Sequence, residues 1–418
     1  MACRGSRARG LSPVNRIVHI GTGAFHRAHQ AWYVAQAGGG WRIDGISLRS
    51  PAVRDALVLD DFAYALEISD AQGRRIEVID VIESMTVAPQ ERGAVAALIA
   101  RENTALVTVT VTEKGYHLRG DGTLDLAAVA PDIAALREGG EPVTMPGHLL
   151  AGLALRQAPL TVMSCDNLPD NGKKLKAALL ALAQAVGIDP SRVTRHAFPS
   201  TMVDRITPAP DDALRARVRA AGAPSQAPVA TEAFTEWVIE DAFAGPMPDF
   251  AAASAQIVAD VGPHELRKLR MLNGAHSTLA YAGLNKGLSF VHEAVGDPNL
   301  RQLARGVMDE AAATLPETIR AKAPAYAEAL LLRFENPSLA HSLRQIAMDG
   351  SLKLPIRILS TMAARPDSPA CARALRAWEC WLDAEFAAGR MPDDPAAERL
   401  RAGRARGLSA RAILEDLA

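Results

Sequence analysis

Cysteine is scarce in this chain. The four in 418 residues (Cys3, Cys165, Cys371 and Cys380) stand far apart and form no C-x-x-C pair. That spacing excludes a disulfide framework and a cysteine-based zinc site, and it fits a reducing compartment. Neither charge is in surplus: 46 Lys and Arg face 47 Asp and Glu, for a formal net charge of -1. A dedicated nucleic-acid binder carries a basic excess, so that class falls away. No apolar run approaches the roughly 18–20 residues that a bilayer span needs. The first ten residues carry Arg4, Arg7 and Arg9 but lead into no apolar h-region, so they do not read as a secretory signal. Internal repeats are absent. What is present is ordinary globular composition, 49% hydrophobic and 22% charged, in a chain long enough for two or three domains. A cytoplasmic protein with a short disordered tail over residues 1–15 is expected.

Ordered structure should begin at the β-branched run Arg16 to Ile20, which Gly21-Thr22-Gly23 stops. Ala24 to Ala37 then holds few breakers and sets Phe25, Ala28, Trp32 and Ala35 near helical spacing. Trp41 to Leu48 resembles a second strand. Strand, glycine turn, helix and strand within about 35 residues make the opening of a dinucleotide-binding unit. Two more buried-strand candidates follow, Ala105 to Val111 and Leu160 to Ser164, each ending in polar residues. In a parallel sheet such ends gather at the carboxyl edge, where ligands bind. Residues 120–146, rich in Gly, Pro and acids, read as a surface excursion. Residues 207–231 form an Ala/Pro-rich stretch without strand pattern, and from about Ala251 long helical periodicity takes over. The expected fold is α/β: an N-terminal Rossmann-type doubly wound sheet over residues 16–250, plus a mainly α-helical C-terminal domain over 251–418.

The glycine turn would let backbone N–H groups approach a pyrophosphate. A full G-x-G-x-x-G would place its third glycine at position 26, where this chain has His26. A turn without a ligand is the alternative. The acidic residue expected at the end of the second strand is also missing. Leu48-Arg49-Ser50-Pro51 stands there, and Arg49 faces either a 2′-phosphate or solvent, which leaves NAD and NADP both open.

If hydride is transferred, something must carry the proton. None of the tyrosines has a lysine four residues later, and no cysteine-bearing zinc site exists. The best candidate set is Lys268, Asn273 and His276 in a helical segment. Offsets of five and three residues place them within a sector of roughly 140° on an α-helix, spread along about 12 Å of axis. Lys268 can exchange a hydroxyl proton, Asn273 can donate to a carbonyl oxygen, and His276 can hold a neighbouring hydroxyl. A polar helix face with a solvated lysine is the bland alternative. At the end of the Leu160–Ser164 strand, Asn167 offers a second amide, against plain turn and cap chemistry. Asp204 either tunes the lysine or pairs structurally with Arg205. Lys353, in the turn Asp349 to Pro355, is a further basic group or simply solvated.

These four segments in this order, together with Gly21 to His29, resemble the mannitol dehydrogenase family of long-chain polyol and hexuronate dehydrogenases, from about Arg16 to Pro355. The resemblance implies a Rossmann-type domain, a helical domain, and an active site between them. It implies metal-independent hydride transfer between a nicotinamide and a secondary alcohol or ketone, with NAD as cofactor and NADP as the alternative. Lys268 looks like the general acid/base, Asn167 and Asn273 like the polarising amides, and His276 like a substrate ligand. Asp204 and Lys353 match further active-site positions. The cofactor would lie against Gly21, Gly23, Ala24, Phe25, Arg49 and Glu113. Polyol-acting members can carry an arginine where this chain has Gln345, with Arg344 beside it, and the chain is short at its C-terminus. Thr112 to Tyr116 looks like the T-E-K-G-Y of hexuronate reductases more than the T-E-G-G-Y of mannitol enzymes. Lys114 could pair with a uronate carboxylate or point to solvent. With Gln345 to Gly350, this resembles fructuronate reductases most and favours reduction of D-fructuronate to D-mannonate. Mannitol/fructose interconversion and another hexuronate such as tagaturonate are the alternatives, and a non-catalytic dinucleotide binder is the alternative of a different class. The expected partner is a small sugar acid or polyol.

Overall fold

The computed structural model describes residues 15–70, 72–337 and 341–417. The tail expected over residues 1–15 lies, apart from Asn15, outside them. In chain order the strands are β1 (Arg16–Ile20), β2 (Arg42–Ser47), β3 (Tyr64–Asp70), β4 (Gly73–Ile79), β5 (Ile82–Val87), β6 (Thr104–Val109), β7 (Thr161–Ser164), β8 (Thr201–Asp204), β9 (Val229–Glu232), β10 (Glu236–Glu240) and β11 (Gln256–Val258). They divide at Val261/Gly262 from a second unit built of helices.

The main sheet runs β5-β2-β1-β6-β7, with its neighbours paired parallel. This is the Rossmann order, in which the chain leaves β1 on one side, returns, and continues on the other. The switch point falls between β1 and β6, where a crevice opens at the carboxyl ends of the strands. Alternation along each strand feeds two separate cores. Ile17, Ile43, Leu106 and Met163 enter one cluster, while Val18, Ile20, Ile46, Val107, Val109 and Val162 enter the other. The second cluster is covered by helices 94–100, 145–155 and 171–186. The first is covered by helix 30–37 and by two small sheets, β11-β10-β8 and β4-β3-β9, whose Trp237, Ile239, Leu66 and Val229 close it. The sheet is thus wound on both faces, but one face is sealed largely by strands.

Several elements differ from the sequence expectation. The helix over 24–37 is two helices, Ala24–Ala28 and Gln30–Ala37, broken at His29, whose backbone leaves the helical region at ψ -84. The 120–146 segment is only partly an excursion. Helix 130–137 carries fully buried Asp132, whose carboxylate accepts from the backbone N–H groups of Val143 and Thr144 and so closes the loop inward. Residues 207–231 contain a helix, 212–220, capped by the Asp211 carboxylate on the Leu214 N–H, and the start of β9, which pairs with β3. Beyond residue 250, β11 still extends the first unit by pairing with β10.

In the second unit the segment 262–284 is the central rod. Every residue from Gly274 to Gly283 is buried, so this helix needs cover on all sides. Helices 298–312, 343–347 and 369–387 supply it. Among the described residues, no helix is long and apolar enough to cross a membrane.

Candidate active site

The first unit gathers its polar loops at one edge of the main sheet. Because β1, β2, β6 and β7 run parallel, Gly21–Gly23, Leu48–Ser50, Thr110–Tyr116 and Cys165–Asn167 all leave the same side. Gly21 has φ +99, and a Cβ there would lie 1.9 Å from the Thr110 carbonyl oxygen, so only glycine fits. Its N–H donates to the Ile46 carbonyl at 2.9 Å, tying the turn to the end of β2. Gly45 makes that approach feasible, since a Cβ would stand 2.6 Å from Thr22 Oγ1. Gly23 is exposed, and a Cβ there would meet nothing nearer than the Gly21 oxygen at 3.8 Å. The turn is therefore bare backbone on its outer side, a surface that suits a pyrophosphate. Ala24 and Phe25 follow it, half-buried.

The turn is propped from beneath. Thr110 Oγ1 donates to the Gly21 carbonyl at 2.9 Å, and His19 Nε2 lies 2.9 Å from Thr110 Oγ1 while its Nδ1 lies 2.7 Å from Thr108 Oγ1. The Nε2–H tautomer satisfies this chain, with Nδ1 accepting from Thr108. Burial pulls the His19 pKa down to about 3, against a small opposing effect of the Gly21 carbonyl. His26, in the place of the third glycine, stacks on His19 with ring centroids 3.4 Å apart. Burial, helped by the Arg27 charge and by competition with the neighbouring imidazoles of His19 and His29 for a proton, holds its pKa far below 6.5.

A second prop joins β6 to β7. Asp166 accepts from the Val111 N–H (3.0 Å), the Thr112 N–H (2.8 Å) and the Tyr116 hydroxyl (2.7 Å). Tyr116 has one proton, given to Asp166, so Ser164 Oγ donates to the tyrosine oxygen at 2.5 Å. Burial raises the Asp166 pKa even against these donors, and burial followed by the Asp166 charge raises that of Tyr116. This latch presents Glu113, Lys114 and Asn167 outward, all exposed. Arg49 is exposed on the same edge of the sheet, after β2, on a turn closed by Ser47, whose hydroxyl donates to the Ser50 carbonyl at 2.7 Å. The sequence places Tyr116 at the end of the Thr112 segment and Asp166 just before Asn167, and nothing in it joins the two. An acid behind a buried run, with nothing basic beside it, was the available signal.

Asp204 does not share that sheet. It ends β8, buried, opposite Glu236 of β10. Arg205 spends its guanidinium on the Ala28 and Glu232 carbonyls and lies over the Trp32 ring at 4.8 Å. Asn171 is structural, bridging the Asp166 and Thr201 carbonyls from its amide nitrogen.

In the second unit, the helical expectation for Lys268, Asn273 and His276 needs one correction. Residues Lys268–Leu272 form a π turn between helices 262–267 and 273–284, and the Asn273 N–H donates to the Lys268 carbonyl. An i→i+5 bond sets residues five apart one above the other, so Lys268 and Asn273 align instead of spreading over a wide sector. Lys268 is buried at 7% exposure and Asn273 is half-buried. One turn on, His276 is buried against Phe334 (4.5 Å) and edge-on to His341 (5.2 Å). Burial first, then the charges of His341, Arg333 and Arg357, keep it neutral. A second π turn, Pro355–Leu359, packs against the first. Proline there has no N–H for an α-helical bond, and the wider turn absorbs it. Just before it, Lys353 Nζ donates to the Met348 carbonyl at 2.6 Å. Arg344 is exposed and pairs with Glu385 at 3.4 Å, and Gln345 is exposed. Among the described residues, no group of three or more His, Cys, Asp or Glu is placed to hold a metal ion.

Known proteins share both halves. Residues 15–252 match the family model of the mannitol dehydrogenase Rossmann domain, and residues 260–381 match that of the mannitol dehydrogenase C-terminal domain. A mannitol 2-dehydrogenase of Phaeosphaeria nodorum is 38% identical over 411 residues, covering 92% of this chain and 72% of its own. Among solved structures, the ternary complex of Pseudomonas fluorescens mannitol 2-dehydrogenase with NAD and D-mannitol superposes with a TM-score of 0.78 at 33% identity, covering 93% of this chain and 84% of that one. A substrate-free D-sorbitol dehydrogenase gives a TM-score of 0.80 at 30% identity, covering 90% and 83%.

Proposed function

This chain belongs to the mannitol dehydrogenase family, and on that premise we propose that it moves a hydride between a nicotinamide dinucleotide and a secondary alcohol or ketone of an open-chain sugar derivative. The observation that carries the reading is the π turn, which stacks a buried lysine over an amide on one helix. The bare backbone of Gly21–Gly23, beside Ala24, Phe25 and Glu113, fits the dinucleotide. The relative solved with NAD supports that cofactor.

When bound, the dinucleotide supplies or accepts the hydride. In reduction, the Lys268 ammonium gives its proton to the carbonyl oxygen as the new C–H bond forms; in oxidation, the neutral amine takes the hydroxyl proton back. The amide of Asn273 donates to that oxygen as negative charge collects on it, and Asn167 is assigned the same polarising role by its match to the family pattern. Neutral His276 keeps one N–H to donate and one ring nitrogen to accept, the equipment needed to hold a neighbouring hydroxyl. Asp204 and Lys353 are assigned to the same chemistry by their match to the family pattern. A lysine as proton carrier lets the scheme run without a metal.

For the substrate, exposed Lys114 favours a keto-hexuronate such as D-fructuronate, whose carboxylate it would pair with, over a neutral ketose. The polyol names of the relatives favour the second reading, mannitol/fructose interconversion. Initial rates of NADH oxidation with D-fructuronate, D-tagaturonate and D-fructose decide between them. A fructuronate rate at least tenfold above the fructose rate is expected. Fructose in the lead would give the chain to the polyol reading. NADH binding with no turnover on any ketose or on mannitol would make it a non-catalytic binder.

A further inference from the structure

We infer that this chain accepts NADP(H) as well as NAD(H), through Arg49 at the end of β2. The inference rests on the dinucleotide reading of the glycine turn and deepens it. In a Rossmann unit the adenosine ribose lies over the end of the second strand. There a carboxylate bonds the 2′-hydroxyl and repels a 2′-phosphate, whereas an arginine accommodates the phosphate. Position is fixed here by hydrogen bonds, because Gly21 N–H and Thr22 N–H both donate to the Ile46 carbonyl, at 2.9 and 3.4 Å. The loop after β2 therefore starts directly beside the glycine turn.

That loop holds no repelling group. From Gly45 to Arg54 the sequence has no acid. The nearest acids on either side are already occupied. Asp44 is buried and accepts from Arg16 (3.1 Å) and Ser84 (2.6 Å). Asp55 is clasped by Arg54 through Nε at 2.9 Å and Nη2 at 2.8 Å. Arg49 is different: it is exposed and makes no hydrogen bond or ion pair among the described residues.

The backbone beneath Arg49 is set. Ser47 Oγ donates to the Ser50 carbonyl at 2.7 Å and accepts the Ser50 N–H at 3.3 Å, while Ser50 Oγ accepts the Ala52 N–H at 3.2 Å. A guanidinium held out from a fixed turn, with its donors unspent, matches a phosphate dianion and has no protein carboxylate to exchange for it. A ribose 2′-hydroxyl would leave most of those donors to water, so the geometry does not penalise the phosphate.

Quenching of tryptophan fluorescence on titration with NADH and with NADPH tests this without turnover. In the unaltered chain the two dissociation constants should agree within about tenfold. Arg49→Glu should weaken NADPH at least tenfold more than NADH, and 2′,5′-ADP should compete better than 5′-AMP before the change and worse after it. NADPH more than a hundredfold weaker than NADH in the unaltered chain would overturn the inference while leaving the dinucleotide site intact. An equal effect of Arg49→Glu on both cofactors would overturn it too. Failure to bind either would remove the dinucleotide reading and this inference together.

Discussion

The two units prepare for chemistry in opposite ways. At the sheet edge of the first, side chains are missing from the proposed dinucleotide surface: Gly21 and Gly23 offer backbone, Gly45 lets the turn settle onto β2, and the polar support comes from underneath, from His19, Thr110 and the Asp166–Tyr116 latch. In the second, the groups proposed to act on the substrate are side chains on a single rod, and their alignment comes from one local change in hydrogen-bond register, the π turn at Lys268–Leu272. An edge assembled from many loops tolerates loss of a side chain but not a displaced backbone. A helix tolerates modest backbone change but has no second copy of Lys268. The first unit should therefore fail in binding and the second in turnover.

Lys268→Ala is the strongest test of that division. General acid/base groups contribute roughly 10²–10⁴-fold, so kcat should fall about a thousandfold while the NADH dissociation constant stays within twofold. Steady-state kinetics beside a fluorescence titration would read both. A matching loss of NADH affinity would erase the distinction between the units, and near-normal turnover would remove Lys268 from the chemistry. The converse change is Gly21→Ala. The added methyl meets the Thr110 carbonyl oxygen at 1.9 Å and must adopt φ +99, so the turn has to shift. Strain of this kind costs about 1–3 kcal/mol before any clash is counted. NADH binding should weaken tens of fold, with a lowered Tm and kcat at saturating cofactor reduced much less. Unchanged NADH affinity would mean the turn is not the cradle.

Much of the fold was written openly in the sequence. Strands β6 and β7 are near-continuous β-branched or apolar runs and β1 is mostly one, as strands buried on both faces tend to be, whereas β2 was betrayed only by Ile43 and Ile46 around Asp44 and Gly45. The smaller sheets were hidden. β4 is mostly exposed and rich in charge, so it carries no strand-like apolar signature. β9 is four residues behind an Ala/Pro-rich stretch, and its partner β3 lies far upstream, with Leu66 opposite Val229. Among site residues, Gly21 and Lys268 stand out by type. The alignment of Lys268 with Asn273 does not, because a π turn is a matter of hydrogen-bond register and a count on an ideal α-helix misses it. Asp166 was equally obscure, since Ser164-Cys165-Asp166-Asn167 also reads as ordinary turn chemistry.

The smallest expected effect, residue for residue, concerns acid, and it tests whether the two units share a weakness despite their different designs. His19 and His26 beneath the glycine turn, and His276 behind Asn273, are all held neutral by burial, with pKa values depressed from 6.5, that of His19 to about 3. A depressed pKa means that the unfolded chain takes up protons the folded chain refuses. The stability these groups contribute is therefore complete above about pH 6.5 and is lost as the pH falls below it. Each costs about 1.4 kcal/mol per pH unit in that range. The Tm should be flat from pH 8 to 7 and decline by several degrees between pH 6.5 and 5.5. His276→Asn should make the decline shallower by one proton's worth and lower turnover at pH 8, whereas His26→Asn should make it shallower by the same amount with the loss falling on NADH affinity. A Tm independent of pH down to 5 would show that the buried imidazoles protonate without cost, and the props under both halves would then be softer than their burial implies.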